Sequence, residues 1–81
     1  MNYDDSYEIR QHAQVHLNRA NGQMDLIDSL FFKFLVRKDV RKSDITETQR
    51  LMKECEENIQ NALNDLKKLK DALNEINESN K

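Results

Sequence analysis

At 81 residues the chain has room for one small domain, and a core of that size typically supplies only about 3–5 kcal/mol unless a staple or an oligomer extends it. It has no proline, one glycine, no tryptophan and 35% charged residues, a balance that favours long helices over sheets or disorder. A net charge of −2 and a pI near 5.6 exclude a molecule-wide electrostatic footprint for nucleic acid or anionic membrane, so any such role falls to a local patch.

The expectation is therefore an all-α single domain over residues 1–81. Its lone cysteine, Cys55, has no internal disulfide partner, and no charged n-region with an apolar h-region opens the chain. Both point to a reducing, cytoplasmic setting.

The first helix is expected over about 6–37, capped by Asp5 with Glu8 or by Ser6. Ala13, Leu17, Ala20, Met24, Ile27, Phe31 and Phe34 alternate spacings of three and four. That phase runs through Asn21-Gly22, a dipeptide able to end a helix. Continuity of phase predicts one helix instead, weakened by about 1 kcal/mol at Gly22. The run from Leu30 to Val36 contains all three phenylalanines and is far shorter than the roughly 20 apolar residues that cross a bilayer. In it Phe31 and Phe34 are expected to face the second helix, with Leu30 and Leu35 flanking. Leu26, Phe32 and Val36 then fall on outer positions, where an apolar patch marks an interface. Lys33 interrupts the run because it is expected to face water.

The connection is expected over 37–43, short enough to make the helices antiparallel neighbours. Lys33, Arg37, Lys38, Arg41 and Lys42 place five cations beside Asp39 at this tip. They suit contact with an acidic partner, a phosphate or a membrane surface, with Phe32 as an apolar anchor. A blander account also serves: cations at a helix C-terminus complement its dipole.

The second helix, expected over about 44–78, has the cleaner rhythm. Asp44 with Glu47, or Ser43, is its expected cap. Ile45, Thr48, Met52, Cys55, Ile59, Ala62, Leu66, Leu69, Leu73 and Ile76 form an a/d seam, flanked by Leu51, Leu63 and Ala72. Residues 77–81 are expected to fray. Lys67, Lys68 and Lys70 are offset by Asp65 and Asp71 as a solvated face. The two helices make a hairpin whose single seam leaves apolar surface over, so assembly into a four-helix bundle or coiled-coil oligomer is expected.

His12 and His16 share a helical face one turn apart, with Glu8 a turn earlier, a spacing many metal sites use. Three or four ligands are needed, and Cys55 is expected well up the hairpin from His16, so ordinary surface histidines are the reading. Cys55, between Met52 and Ile59, suits a buried inert thiol. No triad, phosphate-cradling glycine loop or carboxylate pair in a pocket is discernible, and Asp25 with Asp28 lies on a helix surface without a cleft. No catalytic residue, cofactor or metal is assigned.

Residues 17–30, "LNRANGQMDLIDSL", resemble the first helix of the CsoR/RcnR/FrmR repressors through Arg19, Gly22, Gln23, Met24, Ile27 and Leu30. The resemblance implies a small all-helical DNA-binding regulator, here using Arg19, Arg37, Lys38, Arg41 and Lys42. That family's sensing cysteine and histidine pattern is not reproduced, since Leu51 and Met52 precede Cys55. "DSLFFKFLVRK", from Asp28, is similar in rhythm to the long first helix of helical chorismate mutases. Asn21 and Gln49 stand where that family has substrate-holding cations.

These residues together point to a non-catalytic protein–protein interaction module acting through Leu26, Phe32, Lys33, Val36, Arg37, Lys38, Arg41 and Lys42. Its expected partners are further copies of itself, another protein, or both. A DNA-binding regulator is the alternative.

Overall fold

The computed structural model describes residues 3–38 and 40–79. Within them the chain forms two helices, α1 (Tyr3–Arg37) and α2 (Lys42–Ser79), packed against each other as an antiparallel hairpin with no strand among the described residues. The hairpin is a rod of 63 × 14 × 14 Å. Its radius of gyration, 18.3 Å, exceeds the roughly 12 Å of a compact chain this long, so the molecule has much surface and little interior.

Both helices start earlier than the capping residues suggest. Asp5 and Ser6 lie inside α1, and Ser6 is buried. Asp44 sits in the first turn of α2 and does not precede it. Its Oδ2 accepts from the Arg41 backbone N–H at 3.4 Å, while the Asp44 and Ile45 amides donate to the Arg41 carbonyl at 3.0 and 3.3 Å. Arg41 is thus the residue at which α2 begins to close its bonds, and Asp44 supplies the acceptor reaching back, half of a capping box. At the other end α2 stays helical through Ser79, two residues past where fraying was expected to begin, and 80–81 lie outside the described residues.

The helices part at Lys38, whose φ of 55° is left-handed. A left-handed residue just after a helix satisfies its last carbonyls and turns the chain, a position glycine usually occupies. Gly22 is instead an ordinary helical residue, as unbroken phase predicted, and a Cβ there would meet nothing within 4 Å.

The seam is where the structure corrects the sequence. On α1 the inward residues are Ser6, Ile9, Ala13, His16, Ala20, Gln23, Ile27, Leu30 and Phe34, all buried or half-buried. On α2 they are Asp44, Thr48, Leu51, Cys55, Asn58, Ala62, Asp65, Leu69, Ala72 and Ile76. Half of the expected positions are kept: Ala13, Ala20, Ile27 and Phe34 face Thr48, Cys55, Ala62 and their continuation. The other half are displaced by one residue. Leu17, Met24 and Phe31 give way to His16, Gln23 and Leu30, while Ile45, Met52, Ile59, Leu66 and Leu73 give way to Asp44, Leu51, Asn58, Asp65 and Ala72.

Small side chains hold the positions that are kept, and Ala72 takes an inward place from Leu73. Ala13, Ala20, Cys55, Ala62 and Ala72 are among the most buried residues, with Ala62 at 1% exposure. Rows of alanine let two backbones approach closely, and that contact brings dispersion attraction along the rod. Ala20, Ile27, Leu51 and Cys55 make the core cluster, with Leu30 packed against it. No large side chain is fully buried among the described residues, so the hairpin's own apolar contribution is modest.

Candidate functional site

A chain of polar contacts crosses the seam. Asn58 Nδ2 donates to Gln23 Oε1 at 2.9 Å, and Gln23 Nε2 donates to Glu54 Oε2 at 3.2 Å. His16 Nδ1 lies 3.3 Å from Asn58 Oδ1, an oxygen that only accepts, which places the ring proton on Nδ1. Glu54 also accepts from Arg50 Nη1 at 2.6 Å, and Arg50 is paired with Glu47 as well. The Arg50 hydrogen bonds hold the Glu47 carboxyl below the usual carboxylate range. The two carboxylates in turn push the Arg50 guanidinium further up. Every bond in this chain joins groups already partnered, and no buried side-chain nitrogen or oxygen lacks a partner among the described residues. Its effect is to align the helices.

The histidines divide. His16 faces α2, while His12 is exposed on the surface row beside it. Cys55 lies nearer to His16 than expected: its Sγ donates to the Ala20 carbonyl at 3.6 Å, one turn from His16. Even so, no three His, Cys, Asp or Glu side chains come together as a metal site among the described residues. Asp5, Glu8, His12, Asp65 and Lys68 line a depression between the helices near their free ends, open to solvent and of mixed charge.

At the tip, Leu26, Phe32 and Val36 are exposed on α1, Phe32 at 67%. Arg37, Lys38, Arg41 and Lys42 are exposed around them. Asp39 lies outside the described residues. Lys33 does not simply face water: its Nζ pairs with Asp44 at 3.4 Å, tying the end of α1 to the start of α2. Two neighbours also depart from expectation. Phe31 packs edge-on against Phe34, rings 5.7 Å apart, yet stays partly exposed, and Leu35 is 75% exposed. The apolar surface at the tip is accordingly larger than the three residues read from the sequence.

A second surface went unread in the sequence as a surface. The displaced apolar residues, Leu17, Met24 and Phe31 on α1 and Ile45, Met52, Ile59, Leu66 and Leu73 on α2, are each 39–47% exposed. In each helix this row follows an inward row by one residue, 16 to 17 and 58 to 59. In an antiparallel pair, such rows stand on the same side of the seam. The opposite side carries Lys33 and Glu54, which bond across it. The hairpin thus has a polar face and an apolar face. The signal was present as the strong three-and-four rhythm, assigned to the inside of the hairpin.

No family model matches this chain, and neither a curated protein nor a solved structure matches it. Among the described residues no helix is long and apolar enough to cross a membrane.

Proposed function

We propose that this hairpin is a non-catalytic protein–protein interaction module, of the kind used as a small adaptor, chaperone or inhibitor, working in a reducing cytoplasm. The observation that carries the reading is apolar surface left open after the two helices have packed. At the tip, Leu26, Phe32 and Val36 lie exposed beside Lys33, Arg37, Lys38, Arg41 and Lys42. Aromatic anchors beside arginine are the composition that binding surfaces favour, and the cations select for an acidic partner. Affinity capture from the native host with the wild-type chain and with Phe32→Asp and Val36→Asp tests it. A partner recovered by wild type and lost with both variants supports the tip surface. Equal recovery by all three removes it.

The exposed cations of the tip also favour a second reading, a DNA-binding regulator that adds Arg19. It requires a mobility shift at low salt that weakens steeply as salt rises, with the salt slope falling by about one unit per phosphate-contacting cation removed. No shift at low salt disposes of it.

A further inference from the structure

The apolar face along the rod has a more definite occupant than the tip. We propose that it is covered by a second copy of this chain, turned end for end, so that the tip of each hairpin lies beside the free helix ends of the other. The inference deepens the interaction reading, on which it rests, and concerns a different face from the tip patch.

Three observations carry it. The first is need: small side chains make up much of the seam, no large side chain among the described residues is fully buried, and eight large apolar side chains stand in the two exposed rows. Those rows offer on the order of 600 Å² per copy, so two copies facing each other bury about 1,200 Å², the lower edge of what stable interfaces use. Leu35 and Leu63, exposed on the positions next to the rows, extend that area. A flat stripe running most of the length of a 63 Å rod is matched in length and shape by another such rod.

The second observation is that the α2 row of this face is complementary to itself about a perpendicular two-fold axis. Cys55 with Ala20 and Lys33 with Asp44 set the heights of the two helices. Counting by sevens from those contacts, Leu17 is level with Ile59, Met24 with Met52, and Phe31 with Ile45. The row on α2 runs from Ile45 to Leu73 with Ile59 at its middle. A two-fold axis through the level of Ile59 and Leu17 therefore brings Ile59 against its own copy and Ile45 against Leu73 of the partner subunit. No large residue of the α2 row is left without a counterpart, the closure a two-fold dimer requires.

The third observation is charge. The described residues of 33–44, at the tip, carry five cations and one acid, while residues 3–10 and 69–79, at the free ends, carry six acids and two cations. Stacking two hairpins with tips together would set like charge against like at both ends. Turning one end for end sets the basic tip against the acidic ends twice over. The same turn keeps every neighbouring pair of helices antiparallel, as in an up-and-down four-helix bundle.

Sedimentation equilibrium of the wild-type chain at micromolar concentration, with disulfide trapping, is the test. Leu17→Cys and Ile59→Cys, each made with Cys55→Ala, put a thiol on the axis. Gln60→Cys and Phe32→Cys in the same background put one elsewhere. A dimer that oxidises to a covalent pair at positions 17 and 59, and not at 60 or 32, is the expected result. A folded monomer, an assembly of another size, or a dimer that fails to cross-link at 17 and 59 overturns the proposal. The interaction reading at the tip fails separately, through the capture with Phe32→Asp and Val36→Asp.

Discussion

Asn58 donates to Gln23 at 2.9 Å across a seam that is otherwise lined largely by alanine and aliphatic side chains. A polar pair in such a place contributes less to stability than to register. Sliding one helix by a turn would strand both amides, whereas alanine rows tolerate several alignments. Asn58→Ala, which leaves Gln23 Oε1 without its donor, is expected to cost about 1 kcal/mol in denaturant melts. Replacing both partners by leucine is expected to keep or raise the melting midpoint while adding a second set of amide resonances, the mark of mixed registers. A single sharp set of resonances in the double variant would show that register is fixed elsewhere.

Glycine and the left-handed turn are in different places in this chain. Gly22 is helical with open space around it, and Lys38 holds a φ of 55°. Lys38→Gly relieves the left-handed strain, and Gly22→Ala removes a helix-weakening residue; each is expected to stabilise by about 0.5–1 kcal/mol. Thermal melts read both. The two sites are far apart, so their effects should add.

Ala62 is the most buried residue among the core positions, at 1% exposure. Ala62→Leu puts a larger side chain into this tightly enclosed position, and a loss of about 1–3 kcal/mol is expected. An apolar gain from the larger side chain would appear instead as a higher melting midpoint, which would mean that the alanine rows do not set the helix spacing.

The Glu47 carboxyl is held below its ordinary value of 4.5 by hydrogen bonds from Arg50. A carboxyl with a lowered folded pKa contributes stability above its unfolded pKa and loses it as pH falls through the folded value. Arg50→Ala is therefore expected to return the Glu47 titration, followed by its side-chain carbon shift, towards the ordinary range. Because Glu47 is a surface group, the melting midpoint near neutral pH should barely move.

The antiparallel hairpin, the placement of both helices to within a few residues and the continuity through Gly22 were all legible in the sequence. Apolar rhythm, the scarcity of breakers and a short connector are local properties, and the backbone obeys them locally. The start of α2 was misplaced by two residues because Asp44 reads equally well as a first cap or as the acid reaching back to Arg41. Lys33 read as solvent-facing because its partner, Asp44, lies across the turn.

What the tertiary structure alone decided is which side of each helix faces inward. Periodicity measures where apolar side chains cluster, and the strongest cluster contains Leu17, Met24, Ile59 and Leu66. Ala13, Ala20, Cys55 and Ala62 face inward in either arrangement, and the one adopted adds the cross-helix hydrogen bonds of His16, Gln23 and Asn58. The rotation by one residue exchanges Leu17 for His16 and Ile59 for Asn58 inside the hairpin, leaving the bulkier pair on its open face. Sequence determined that an apolar stripe exists and how long it is. Only the pairing of two particular helices, face to face, decided that half of that stripe points away from the hairpin.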